Sequence, residues 1–115
     1  MKKVISIHEY VLKPDVTDEQ FKHGIEAARE RKLFDLPGLE AYYFLKGIRG
    51  ANAGTFAAIW VYKDRKAWEH LWGSVGRAVP KEGYPSSWQI WEKEILAPLL
   101  TCDPDEIRFT SYQEI

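Results

Sequence analysis

The chain has 115 residues, about the size of one domain, and its 16 basic and 17 acidic side chains give a formal net charge of −1. The near-zero charge excludes a general nucleic-acid binder, and a hydrophobic content of 45% excludes a disordered chain. One cysteine excludes an internal disulfide, and no apolar run approaches the roughly 20 residues of a membrane span, so we expect one cytoplasmic domain over residues 1–115.

The first half of the chain predicts a strand, a helix and a two-stranded hairpin. Apolar and polar residues nearly alternate over residues 4–12, which indicates a half-buried strand. Thr17 and Gln20 match a capping box, so a helix is expected to begin there. Apolar and aromatic runs over 39–46 and 56–62 predict two strands, joined by a glycine-rich loop.

The second half predicts two helices and a last strand. Asp64 can cap a short helix. Residues 73–85 are interrupted by glycines and prolines, and we interpret them as a long loop and a candidate lid. Another helix is expected from Ser86, where Ser86 and Gln89 match a second capping box, and the last strand covers 107–114.

The predicted element order is β-α-β-β-α-α-β. With the two late helices taken as one unit, this is the split βαβ, or ferredoxin-like, arrangement. The fold class is therefore α+β, with a four-stranded antiparallel sheet and helices on one face. The other face would carry large apolar and aromatic side chains, so we predict that two sheets pack face to face in a symmetric homodimer.

Three segments resemble motifs of a known superfamily. Residues 36–43 resemble the Pro-Gly entry to the second strand of the dimeric α+β barrel superfamily, where a Tyr follows. Residues 56–70 are similar to its third-strand signature, an apolar strand ending in an aromatic residue and followed by an acidic cap, Ala and His. Lys13-Pro14 resembles the pair that closes its first strand. The antibiotic-biosynthesis monooxygenase branch matches best, over residues 3–72.

The resemblance implies a dimer of ferredoxin-like subunits, each with a pocket between its helices and its sheet. The superfamily includes cofactor-free oxygenases of aromatic polyketides, haem-degrading oxygenases, cyclases and isomerases. Haem-degrading members have a Trp at the end of the third strand and an iron-binding His ten positions later. Tyr62 and Trp72 occupy those positions here, and His70 points elsewhere on its helix, so haem degradation is not expected.

Two neighbouring residues of the first strand are candidates for acid–base catalysis. His8 has an imidazole that titrates near neutral pH and would serve as a general base in a pocket. Glu9 shares a strand face with Ile5 and Ile7, where apolar neighbours would raise the pKa of its carboxyl group. The alternatives are a core or interface histidine for His8, and a strand-edge charge or a cross-dimer ion pair for Glu9.

Six further residues are candidates for binding an aromatic substrate. Trp60 and Tyr62 share a face of the third strand, and the resemblance implies that such residues hold the substrate while Arg108 stabilises its anion. The alternatives are core packing for Trp60 and an interface or ion-pair role for Arg108. The Trp residues of the late helices have helical spacing and either fill a core or line a pocket. The predicted substrate-binding set is Tyr10, Trp60, Tyr62, Trp72, Trp91 and Arg108.

These patterns predict a small-molecule pocket protein. We expect a cofactor-independent monooxygenase-like enzyme, or a related one, that acts on an aromatic or apolar substrate. The alternative is a non-catalytic ligand-binding or structural dimer. No cofactor is expected, and no metal, since the sequence has no HxH, CxxC or HExxH spacing. The expected partners are a second copy and a small ligand, not nucleic acid or a membrane.

Overall fold

A computed structural model of the chain describes residues 2–115. The strands of the main sheet are β1 (Val4–Tyr10), β2 (Leu39–Lys46), β3 (Phe56–Tyr62) and β6 (Phe109–Gln113). The helices are α1 (Asp18–Glu30), α2 (Arg65–Trp72) and α3 (Ser86–Ile90), and α3 continues as a π-helical segment, Trp91–Leu96. A short hairpin of β4 (Gly73–Ser74) and β5 (Arg77–Ala78) follows α2, and 3₁₀ turns cover Lys81–Gly83 and Pro104–Glu106.

The four long strands form one antiparallel sheet in the order β2-β3-β1-β6. Helices from both halves pack on the same sheet face. Phe21 of α1 contacts Phe56 of β3 with ring centroids 4.8 Å apart, and Trp88 of α3 contacts Trp60 at 5.0 Å. The predicted α+β, ferredoxin-like fold is therefore confirmed. The first and last strands are shorter than predicted, because β1 ends at Tyr10 and β6 begins at Phe109.

Side-chain caps place the starts of α1 and α2. The Thr17 hydroxyl accepts a hydrogen bond from the Gln20 amide at 3.1 Å, and the Gln20 side chain accepts from the Thr17 amide at 2.8 Å. This is the predicted capping box. The Asp64 carboxylate accepts from the Ala67 amide at 2.8 Å and caps α2, as its sequence indicates.

The third helix starts where it was predicted but for a different reason. Ser86 is already its first helical residue, Pro85 precedes it, and no side chain caps the helix. The second capping box is therefore wrong. The Gln89 side chain donates instead to the backbone carbonyls of Tyr84 at 2.9 Å and Glu82 at 3.2 Å. It ties the preceding turn to the helix.

Two glycines allow close approach between elements. A Cβ at Gly24 would lie 2.9 Å from the Ile95 side chain, so the glycine lets α1 pack closely against the π-helical segment. Gly38, with a φ of +83°, turns the chain into β2, and a Cβ there would lie 2.5 Å from the Cβ of Ala67. The turn before β2 therefore packs directly on α2.

The second face of the sheet is apolar, and none of the helices within residues 2–115 packs on it. The register places Ile7 opposite Ile59 and Ile5 opposite Val61 on this face. These side chains are only half-buried, and Tyr43 on β2 is 56% exposed. We call this surface the open face. Its composition is that of a surface that another layer covers.

Candidate functional site

A cavity of about 410 Å³ lies between the β1–β6 side of the sheet and the chain that runs from α2 to α3. Ser6, His8 and Ser111 line it from the sheet. The segment predicted as a long loop after α2 folds instead into the β4–β5 hairpin and a 3₁₀ turn, and both the hairpin and Tyr84 line the cavity. The volume is within the range of about 300–1,000 Å³ that small-molecule sites occupy.

Aromatic rings form most of one wall of the cavity. The Trp72 ring lies edge-to-face with Trp88 at 5.3 Å and with Tyr84 at 5.4 Å between centroids. Trp68 and Phe109 also line the cavity. Edge-to-face contacts hold each ring in place, so the wall offers a flat ligand a fixed apolar surface.

His8 lies in the middle of β1 and lines the cavity from the sheet. Its ring centroid is 5.9 Å from that of Trp88 and 5.7 Å from that of Phe109, and its Nδ1 atom is buried without a hydrogen-bond partner. Burial lowers the pKa of the imidazole to about 4. At neutral pH His8 is therefore uncharged, a weak base that can still donate or accept a hydrogen bond.

Glu92, on the π-helical segment, is a partly buried carboxyl group in the same cavity. Burial raises its pKa to about 7, and the negative charge of Asp105 raises it further, while Trp88 and Lys81 act in the opposite direction. Lys81 forms its own ion pair with Asp105. A carboxyl group that titrates near neutral pH suits proton transfer, and π-helical segments recur at functional sites.

Two hydrogen-bonded side-chain pairs add polar groups to the cavity. The Trp72 Nε1–H donates to the Tyr62 hydroxyl at 3.1 Å, and burial raises the pKa of Tyr62 above its usual range. The Tyr62 phenol thus stays protonated and can donate to a ligand. The Ser6 and Ser111 hydroxyls share a hydrogen bond of 2.7 Å across β1 and β6.

The structure brings three of the eight predicted site residues into the cavity, namely His8, Tyr62 and Trp72. The predicted substrate-binding residues Tyr10, Trp60 and Trp91 lie in the core instead, each with 0% exposure, and are not among the residues that line the cavity. Their aromatic rings fill the space between the sheet and the helices. Of the eight predicted residues, only His8, Tyr62 and Trp72 are therefore placed to contact a ligand in the cavity.

Glu9 and Arg108 lie on the open face, away from the cavity. Neighbouring residues of a strand point to opposite faces, so the position of His8 in the cavity places Glu9 on the other side of the sheet. The Glu9 carboxylate accepts from the Asn52 side chain at 3.1 Å and lies 4.0 Å from the Arg108 Nε atom. The Arg108 side chain is 86% exposed.

Sequence reasoning missed Glu92 and Asp105. One signal for Glu92 was available, since it follows Trp88 by four residues and helical spacing puts both on one face. A Glu on the aromatic, core-facing side of a helix is unusual unless its carboxyl group has a partner or a function. Asp105 had no such signal, because the turn at 104–106 brings it to the cavity.

These features define the class of the protein, a ferredoxin-like α+β domain with a cavity between its helices and its sheet. No protein-family model matches the chain. No curated protein matches it either. Within residues 2–115, no helix is long and apolar enough to cross a membrane, and no group of three or more His, Cys, Asp or Glu side chains is placed to hold a metal.

Several solved structures share the fold. A candidate antibiotic biosynthesis monooxygenase from Bordetella bronchiseptica has a TM-score of 0.67 at 9% identity, covering 100% of this chain and 99% of that one. The hydroxynitrile lyase of Passiflora edulis has a TM-score of 0.65 at 14% identity, covering 98% and 94%. A dimeric ferredoxin-like protein of unknown function from Bacteroides fragilis has a TM-score of 0.60 at 12% identity, covering 98% and 96%. These TM-scores establish the shared fold, and identities this low establish the fold alone.

The buried imidazole predicts a specific loss of stability in acid. His8 binds a proton below pH 6.5 when unfolded but only near pH 4 when folded, so its contribution to stability falls as the pH drops from 6.5 to 4. Relative to the His8→Gln variant, the wild type should lose roughly 3 kcal/mol of unfolding free energy over that range.

The comparison uses urea denaturation of both proteins at pH 4, 5.5 and 7. Glu92 has the opposite effect, because its raised pKa makes the protein lose stability as the pH rises from about 4.5 to 7. Both proteins contain Glu92, so the difference between their unfolding free energies reports on His8. Parallel stability curves for the two proteins would show that the imidazole protonates freely in the folded state.

Proposed function

We propose that the protein binds a small molecule with an aromatic or apolar body in the cavity between α2, α3 and the sheet. The observation that carries this proposal is a cavity of about 410 Å³ in which an aromatic wall faces a few polar groups. Trp72 and Trp88 would stack on the ligand body. His8, Tyr62 and Glu92 would fix its polar end.

We further propose that the protein is an enzyme and that Glu92 is its proton carrier. In its ionised form the Glu92 carboxylate would accept a proton from the bound ligand and return it later, so no oxidant or bound cofactor is consumed. The neutral His8 imidazole would orient the reacting group by a hydrogen bond. A pKa near 7 gives Glu92 both protonation states at neutral pH.

The monooxygenase-like activity expected from the resemblance stays a prediction. That chemistry would need a group that stabilises a substrate anion. Arg108, the residue assigned to this role, lies on the open face, and the described residues that line the cavity include no Lys or Arg. An anion left on the ligand by proton transfer to Glu92 would therefore be stabilised by neutral donors, the Tyr62 hydroxyl and the His8 imidazole, and not by a cation.

A calorimetric titration with 1-naphthol, a neutral aromatic probe, tests the binding function. The Trp72→Ala variant should bind the probe about tenfold more weakly than the wild type, because it loses one face of the wall. The Ile48→Ala variant is the control, since Ile48 lies in a distant loop and is 92% exposed. If the wild type does not bind the probe, or binds it no better than Trp72→Ala, the cavity is not the site.

We also propose that a second copy of the chain covers the open face. The support is the apolar surface of β1, β2 and β3 on that side and the description of several similar structures as dimeric ferredoxin-like proteins. We also propose a cytoplasmic location, which the single cysteine supports because it cannot form a disulfide within the chain.

A further inference from the structure

We propose that the ligand of the cavity carries a cationic amine, held between the aromatic wall and the Glu92 carboxylate. This inference rests on the proposed function, because it names the class of molecule that the cavity takes. Its support comes from the charges that face the cavity, from the geometry of the wall and from the missing ion-pair partner of Glu92.

The charges that line the cavity are negative. The described lining residues include two carboxylates, Glu92 and Asp105, and no Lys or Arg. The sheet contributes His8, which is uncharged at neutral pH. An anionic ligand would meet two carboxylates, of which only Asp105 is paired with a cation, Lys81, whereas an ammonium group would meet complementary charge at Glu92.

Glu92 is the carboxylate that still needs a counter-ion. Asp105 pairs with Lys81, which comes from the 3₁₀ turn before α3. Glu94, two residues from Glu92, pairs with Arg31 at 3.1 Å on the outer surface. No ion pair of the described residues includes Glu92. A partly buried carboxylate without an ion-pair partner is costly, and a ligand cation beside it would offset that cost.

The aromatic wall is suited to a cation as well as to a flat ring. Trp72 stands roughly perpendicular to both Tyr84 and Trp88, with interplanar angles of 83° and 68°. Rings at such angles present their faces in different directions, and the negative face of an aromatic ring attracts an alkylammonium group. Trp68 has the Arg65 guanidinium over its ring at 5.9 Å, so a cation already occupies that ring. The site for the ligand cation therefore lies among Trp72, Tyr84, Trp88 and Glu92.

The buried Nδ1 atom of His8 is a second, independent sign of a ligand at this place. It is a nitrogen of a residue that lines the cavity, and it has no hydrogen-bond partner. Buried polar atoms without partners are rare in folded proteins, and this one belongs to a ring that lines the cavity, so we expect a bound ligand to supply its partner. A neutral imidazole can accept a hydrogen bond from an ammonium group.

The test compares three molecules of similar shape by calorimetric titration at pH 8, namely 2-phenylethylamine, 2-phenylethanol and 3-phenylpropionate. We expect the amine to bind about tenfold more tightly than the alcohol, and the carboxylate to bind more weakly than either. Glu92→Gln should remove the preference for the amine, so that this variant binds the amine and the alcohol with similar affinity. Glu94→Gln is the matched control and should keep the preference, because Glu94 faces outward.

The affinity for the amine should also depend on pH. Ionised Glu92 is needed to pair with the ammonium group, so the affinity of the wild type should rise as Glu92 loses its proton between about pH 5.5 and 8. Asp105, Asp103 and Lys81 are the other charged groups that act on Glu92, and they remain in Glu92→Gln. The affinity of that variant for the amine should be nearly constant over the same range.

The possible results separate the two proposals. Equal binding of the amine and the alcohol, or tighter binding of the carboxylate, would overturn the cationic ligand and leave the small-molecule function intact. Failure of all three molecules to bind would overturn both. A preference for the amine that survives in Glu92→Gln would also overturn this inference, because the selectivity would then arise elsewhere.

Discussion

Replacing Trp60 by alanine is expected to lower the free energy of unfolding by about 3–5 kcal/mol. Trp60 is 0% exposed, and its ring lies 5.0 Å from Trp88 and 5.3 Å from Phe34 between centroids. It therefore contacts both the turn after α1 and helix α3. The loss includes the transfer energy of the indole and the cavity that alanine leaves, and urea denaturation at pH 7 measures it.

The same variant separates the two roles predicted for Trp60. As a core residue, Trp60 should change stability far more than ligand binding, and Trp60→Phe should restore most of the stability. Ile48→Ala, at a 92% exposed position, should stay within about 0.5 kcal/mol of the wild type. A stable Trp60→Ala protein that no longer binds 1-naphthol would contradict the core role and support the predicted ligand-binding one.

Strand periodicity predicted which residues share a face, but not how deep each one lies. Trp60 and Tyr62 are on the same face of β3, as expected, yet Trp60 lies in the core and Tyr62 reaches the cavity. The difference comes from what lies above each residue. α3 and the turn after α1 cover Trp60, whereas Tyr62 lies beside Trp72 of α2. Such coverage depends on helix packing, which local sequence does not encode.

The two capping-box patterns show the same limit for local signals. Thr17 and Gln20 form the box, whereas Ser86 and Gln89 have the same spacing and do not. In the second case the helix already includes Ser86, and Gln89 satisfies backbone carbonyls of the preceding turn. The capping motif therefore predicted the start of each helix to within about a residue. It did not predict which hydrogen bonds form there, because these depend on the residues that precede each helix.

Sequence alternation could predict the part of the candidate site that lies on a single strand, namely His8 of β1. Alternation put His8 and Glu9 on opposite faces, and a cavity on either side would have fitted one of them. The cavity lies on the side of His8 because the helices pack on that face of the sheet. Glu92 and Asp105 are 13 positions apart and meet through the π-helical segment and a 3₁₀ turn, irregular elements that sequence periodicity does not reveal.

Replacing Ile59 by lysine is expected to convert the proposed dimer into monomers. Ile59 lies in the middle of the open face, opposite Ile7 of β1 and Tyr43 of β2. In a dimer that buries this face, each copy would bring an uncompensated ammonium into the interface, at a cost of about 3–5 kcal/mol. Because the dimer holds two such charges, the dissociation constant should rise by at least about a thousandfold. Sedimentation equilibrium over a range of protein concentrations measures the change.

The variant tests the interface and not the fold, because in a monomer the lysine side chain can extend along the sheet to water. Its unfolding free energy as a monomer should therefore remain positive, and circular dichroism should retain the spectrum of the wild type. Ala27→Lys adds the same charge on the exposed side of α1 and should leave the dimer intact. A wild type that sediments as a monomer at tens of micromolar, or an Ile59→Lys variant that stays dimeric, would mean that the open face is not covered by a second copy. In the proposed dimer, Glu9 and Arg108 would lie at the edge of the interface, where their pair within one chain differs from the cross-dimer ion pair that the sequence left open for Glu9.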